Sequence, residues 1–116
     1  MKCCKPFITG KAYPKTAEQL MRSRYTAYTR ANVNYIADTM TGKAAEGFNK
    51  VDAKQWALAA KWLGLKVIRS EAGGENDETG LVEFIATYKL NAKRETISET
   101  SIFQKMAGKW LYVGGE

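Results

Sequence analysis

The sequence predicts an α+β fold in which helices cover one face of an antiparallel sheet, and three observations carry that expectation. Apolar residues recur at helical spacing from Thr16 to about Gly64, with capping residues where each run begins. From Leu65 the apolar period changes to two. Short turn signals then divide the rest of the chain into four strand-like runs, the pattern of a meander. Helices followed by consecutive strands segregate to one side of the sheet.

Residues 1–13 read as an irregular segment, punctuated by Pro6 and Gly10 and followed by Pro14. The domain proper is expected over 14–116. Its first helix opens at Thr16, whose hydroxyl can cap free backbone N–H groups while Gln19 reaches back as a capping box. Ala17, Leu20, Met21, Arg24, Tyr28 and Ala31 share one face of that helix, so Arg24 lies at the centre of the apolar stripe. Asn32 can cap a second helix from Val33 to about Met40, with Val33, Ile36, Ala37 and Met40 inward. Residues 41–51 read as a loop carrying Phe48. Asp52, with Gln55 in the capping-box position, opens a third helix. Trp56, Ala59, Ala60 and Leu63 form its buried stripe and Gly64 ends it.

Strands are expected near 65–73, 80–90, 94–106 and 109–114. The first turn, Gly73 to Gly80, is acidic and glycine-rich, the second lies near Asn91, and the third is a tight Ala107-Gly108. Glu95, Ile97, Glu99, Ser101 and Phe103 share one face of the third strand, and Val82, Phe84, Ala86 and Tyr88 one face of the second. Glu75, Asp77 and Glu78 lack the ligand spacing of a calcium loop, so a plain hairpin turn is the reading there.

Composition narrows the function classes. A chain of 116 residues, 45% hydrophobic and 26% charged, is one ordinary globular domain. No run approaches the roughly 18 apolar residues of a membrane span, and the first residues carry no apolar stretch of a secretory or lipoprotein signal. The expected location is the cytoplasm. The net charge is +6, but Lys and Arg are spread along the chain, so a solvated surface is expected rather than a nucleic-acid patch. The chain has no histidine, which removes Ser-His-Asp, Cys-His and His-ligated-metal mechanisms together. Adjacent Cys3 and Cys4 are strained partners for a mutual disulfide and offer two of the four ligands of a structural zinc, so no metal and no cofactor are assigned.

Arg24 is the first candidate for a functional side chain. Burying an unpaired guanidinium is costly, so the residue is expected either in a structural ion pair that fixes helix to sheet or as an anion-facing group in a pocket. Glu99 is the expected partner and Glu83 the second choice.

These residues resemble a known family. Cys3-Cys4, Pro6-Phe7, Gly10, Pro14, Thr16-Ala17-Glu18 and the run Leu20-Met21-Arg22-Ser23-Arg24-Tyr25-Thr26-Ala27-Tyr28 look like the YchJ family of bacterial proteins. Trp62-Leu63-Gly64-Leu65, Val82-Glu83-Phe84-Ile85-Ala86-Thr87-Tyr88, Glu99-Thr100-Ser101-Ile102-Phe103 and Trp110-Leu111-Tyr112-Val113 continue the resemblance in order. It implies a nuclear transport factor 2-like (cystatin-like) cone, a curved sheet wrapped by helices. It also implies an N-terminal SEC-C zinc motif, of which this sequence shows only Cys3 and Cys4 as a remnant. The family pattern places histidines where this chain reads Thr39-Met40-Thr41 and Ile97-Ser98-Glu99, so chemistry resting on those histidines is not open to it.

The resemblance implies no reaction, and two function classes stand. One is a module that binds a small ligand in its cone or pairs with another protein, a homodimer through the sheet being the expected partner. The other is a small-molecule enzyme of isomerase or dehydratase type, with Glu99 or Glu83 as general base and Tyr25, Tyr28 or Tyr88 as hydrogen-bond donor to a developing oxyanion. The candidate pocket residues are Arg24, Tyr25, Tyr28, Glu83, Tyr88, Glu99 and Trp110.

Overall fold

The computed structural model describes residues 5–8 and 12–115, so Cys3 and Cys4 lie outside the described residues. A short helical turn, α1 (Lys5–Ile8), stands within the segment read as irregular. Four further helices follow: α2 (Ala17–Thr29), α3 (Val33–Asp38), α4 (Gly42–Glu46) and α5 (Lys50–Ala59). Strands β1 (Lys61–Ala72), β2 (Thr79–Leu90), β3 (Lys93–Met106) and β4 (Lys109–Gly115) form one antiparallel sheet in sequence order. This is the α+β arrangement that the change of period foretells. Among the described residues no helix is long and apolar enough to cross a membrane.

Helix α2 starts as its sequence dictates. Thr16 has extended backbone and its hydroxyl accepts from Gln19 N–H at 3.1 Å. The return arm of the box reaches one residue further than expected, with Gln19 Oε1 accepting from Lys15 N–H at 2.8 Å. The helix then lies on the sheet through Ala17, Leu20 and Met21, which pack with Val82, Phe103 and Trp110 as the core. Its N-terminal end seats on the β1–β2 hairpin, where Ala17 N–H donates to Gly73 O at 2.9 Å. Glycine is required at that seat: Gly73 has φ +78°, and a Cβ there would stand 2.8 Å from the Ala17 Cβ.

Asn32 caps α3 as expected, accepting from Tyr35 N–H at 3.2 Å. The helix ends at Asp38 because residues 39–41 turn instead to β4. Tyr112 N–H donates to Thr39 O at 2.8 Å and Thr41 N–H to Tyr112 O at 3.0 Å, a parallel bridge opposite Met40.

Expectations for the segment after it fail at several points. The stretch read as a loop holds α4, and the next helix begins earlier, with Asn49 rather than Asp52 as its cap. The Asn49 side chain accepts from Asp52 N–H at 3.0 Å, which places Asp52 on the first turn, where its charge suits the helix dipole. The helix also ends earlier, at Ala59, so Trp62, Leu63 and Gly64 belong to β1. An apolar run between two periodic regimes fits either state, and here pairing of Lys61 with Lys89 and Trp62 with Tyr88 decides for the strand. Ala59 and Leu63, expected in the helix's buried stripe, are exposed.

The sheet curves through irregularities in its edge strands. Register shifts between Trp62 and Gly64 and between Val67 and Arg69 bend β1, and Leu63 and Ile68 are left 43% exposed at those bulges. Both later hairpins turn through two residues with positive φ, Asn91-Ala92 (53° and 66°) and Ala107-Gly108 (52° and 79°), the primed turns that match strand twist. Val82, Ala86, Tyr88, Ser101, Phe103 and Trp110 are buried on the concave face beneath the helices.

Candidate functional site

Under α2 the curved sheet leaves a cavity of about 420 Å³, lined among others by Met21, Arg24, Tyr28, Trp62, Glu99 and Tyr112. That volume falls within the roughly 300–1,000 Å³ of small-molecule sites. Helices and all four strands meet at it: Arg24, Tyr25 and Tyr28 come from α2, Ala44 from α4, Trp56 from α5, Trp62 from β1, Phe84 and Ala86 from β2, Glu99 from β3 and Tyr112 from β4.

Arg24 is 8% exposed and points inward, as its place on the helical stripe requires. Its expected ion pair is not there. Among the described residues no carboxylate is within bridging distance of it. Its Nη1 instead donates to Ile36 O at 2.9 Å and to Thr39 Oγ1 at 2.7 Å, so the guanidinium fastens α2 to the C-terminal end of α3. The cation also lies over the Tyr112 ring, 4.7 Å from its centre. Neutral acceptors and an aromatic face thus replace the counter-charge. Burial lowers the Arg24 pKa, offset in part by nearby Tyr28, Tyr112, Tyr35 and Glu99.

Glu99 does face the cavity, one tyrosine away from Arg24. The Tyr112 hydroxyl donates to its Oε2 at 3.2 Å, and Ser101 Oγ donates to the same oxygen through a short hydrogen bond. Burial, followed by the neighbouring Glu99 charge, pushes Tyr112 up to about 12. The close approach of Gly115 makes room for this carboxylate: a Cβ there would stand 2.6 Å from the Glu99 Cδ.

The other residues expected at a site divide in two. Tyr25 and Tyr28 line the cavity, and burial raises the pKa of both. Tyr88 stands beside it, packed on Trp56 and Trp62 with ring centres 5.4 and 5.5 Å away. Glu83 is on the opposite face of the sheet, where Arg69 Nε donates to it at 2.9 Å, because β2 alternates and Glu83 falls between Val82 and Phe84. Trp110 is buried elsewhere in the core; its Nε1 donates to Lys15 O at 3.1 Å. It borders a second cleft of about 480 Å³ with Tyr13, Tyr35, Asp38 and Lys109.

Sequence reading missed Tyr112 and Thr39 as site residues. Tyr112 carried a usable signal, since its strand alternation puts it on the same face as Trp110. Thr39 carried none, because its meeting with Arg24 depends on where the 39–41 segment bridges β4.

Helices over a curved meander with a cavity between them define a nuclear transport factor 2-like domain, and the family model for the YchJ middle NTF2-like domain matches residues 16–115. The chain belongs to the YchJ family, whose bacterial relatives carry the name UPF0225. It is 41% identical to UPF0225 protein GSU1048 of Geobacter sulfurreducens over 114 residues, 98% of this chain and 71% of that protein. A UPF0225 protein of Actinobacillus succinogenes is 38% identical over 96% of this chain and 71% of its own length. Among solved structures, RPA3114, a SEC-C motif containing protein from Rhodopseudomonas palustris, superposes with a TM-score of 0.88 at 31% identity, covering 99% of this chain and 88% of that one. A SEC-C motif containing protein from Psychrobacter arcticus gives 0.82 at 26% identity, with 97% and 68% covered. The names of these relatives give a family or a motif and no activity.

Proposed function

We propose that this domain is a cytoplasmic small-ligand-binding module that holds its ligand in the cone. One observation carries the reading: the cavity under α2 keeps space beside a buried arginine and a carboxylate, where a purely structural core would be filled. The enzyme alternative is less well supported. Glu83 lies on the far side of the sheet, and one Glu99 oxygen already accepts two hydrogen bonds. The test is a small-molecule library screened by NMR against the wild type and Ala86→Leu, a substitution on the cavity wall that extends into the space. Wild-type binders that Ala86→Leu rejects support the module. If the wild type takes up nothing and Ala86→Leu only raises the melting temperature, the space is a packing void and the reading falls.

A second copy of the chain on the outer face of the sheet is the partner favoured here. What favours it is the group Leu81, Ile102 and Leu111, with Ile85 beyond Glu83 on the same strand, half-buried apolar side chains that alternate away from the helices. Sedimentation of the wild type and Ile102→Lys tests it. A wild-type dimer that the lysine dissociates is the expected result, and a monomeric wild type overturns it.

A further inference from the structure

The cavity holds one cation and one anion that do not neutralise each other directly. Arg24 uses only Nη1 for hydrogen bonds among the described residues, and Glu99 uses only Oε2. No fully buried side-chain nitrogen or oxygen lacks a partner among them, so Arg24 Nε and Nη2 and Glu99 Oε1, which make no hydrogen bond there, each keep some exposed surface. Arg24 and Glu99 both line one aromatic-walled space, on either side of Tyr112, with Glu99 Oε1 lying beside the bare Cα of Gly115. A purely anionic ligand would meet the Glu99 carboxylate, and a purely cationic one the Arg24 guanidinium, both in a setting where like charges repel strongly.

The nearby rings pack on one another. Trp56, Trp62, Tyr28 and Tyr88 have centres 5.1 to 5.9 Å apart, in contact with one another. They form a wall and leave no slot for an ammonium group between them.

Resting on the binding reading above, we propose that the ligand is a flat, uncharged molecule whose polar edge carries an acceptor beside an N–H donor, as in a carboxamide, lactam, cyclic imide or nucleobase-like heterocycle. Its acceptor meets Arg24, its donor meets Glu99 Oε1, and its ring lies among the aromatic and methionine side chains. A site built for such an edge discriminates sharply, because the wrong partner leaves a buried polar group unpaired.

The experiment compares benzamide, benzoate, benzamidine and toluene as probes, by chemical-shift titration of the full chain and of Glu99→Gln. The wild type is expected to bind benzamide about tenfold more tightly than benzoate or benzamidine, the discrimination one mismatched polar contact supplies. In Glu99→Gln, Ser101 and Tyr112 still donate to the side-chain oxygen, which turns the new amide NH₂ toward the free position as a donor. Preference should then pass to benzoate, while the near-isosteric change leaves the fold intact. A wild type that prefers benzoate or benzamidine, or a preference unaltered by Glu99→Gln, overturns the proposal. If toluene and the three polar probes bind alike, the cavity reading stands and the edge reading fails. If no probe binds and the library screen is also blank, both fail.

Discussion

The Arg24 guanidinium lies 4.7 Å from the centre of the Tyr112 ring, and the Tyr112 hydroxyl in turn donates to Glu99 at 3.2 Å. A charge near the centre of the fold is thus held by an aromatic face, a carbonyl and a hydroxyl. Removing it leaves Thr39 and the end of α3 without their tie to α2. Arg24→Met keeps the apolar stem and should cost about 2–3 kcal/mol in urea denaturation. A double-mutant cycle with Tyr112→Leu should show a coupling of about 1 kcal/mol. Strict additivity would mean that the ring does not stabilise the cation.

Tyr112 should contribute, alongside Tyr25 and Tyr28, to the alkaline limb of stability. Its pKa rises from 10.0 to about 12, chiefly through burial and then through Glu99. Between those values the unfolded chain has lost a proton that the folded chain keeps, so stability falls as pH climbs through this window and is flat in this respect just below it. Tyrosinate absorbance should show late-titrating tyrosines of which Tyr112→Phe removes one, with a shallower alkaline loss of stability. An unchanged titration curve in Tyr112→Phe would refute the assignment.

Gly115→Ala offers a probe of Glu99 that leaves both site side chains in the sequence. The new methyl would stand 2.6 Å from the Glu99 Cδ, so the carboxylate must swing away. Tyr112 then loses both the hydrogen bond and the nearby charge, and its pKa should fall toward 10.0. Absorbance titration of this variant checks it. A Tyr112 pKa that stays near 12 would show that burial alone sets it.

The β3–β4 turn should be open to improvement. Ala107 has φ 52° and Gly108 φ 79°, and alanine carries a steric cost in that conformation which asparagine largely escapes. Ala107→Asn should stabilise by about 0.5–1 kcal/mol, read as a higher urea midpoint at constant slope.

The corrected start of α5 is also measurable. Asn49→Ala should cost about 1 kcal/mol, whereas Gln55→Ala, far from the cap, should cost little. Equal losses at the two positions would restore the later start.

The sheet was legible because alternation is a strong local signal. Val82, Ala86, Ser101 and Phe103 sit on the buried face their spacing implies, and Arg24 on the inward face of α2. The boundary between α5 and β1 was not, because Trp56 to Leu65 satisfies both periods and only pairing across to β2 chooses. The partner of Arg24 was not either. Charge logic points to a glutamate, but the nearest acceptors are a backbone carbonyl and a threonine brought in by the path of residues 36–41. Glu83 was misplaced for a simpler reason. A residue between two inward neighbours on a strand faces outward, and Arg69 on the adjacent strand was available to pair with it.

The bridge between residues 39–41 and Tyr112 bears on self-association. β4 is the last strand of the sheet, and an unpaired strand flank invites a neighbouring molecule to add its own strand there. Thr39 and Thr41 already occupy the Tyr112 backbone groups on that side, so the middle of the flank is closed to such addition. The opposite flank, β1, is kinked twice and makes a poor template for a straight partner. Both flanks of the sheet are therefore poor templates for strand addition, and the threonine-flanked bridge guards an edge as well as walling the cone.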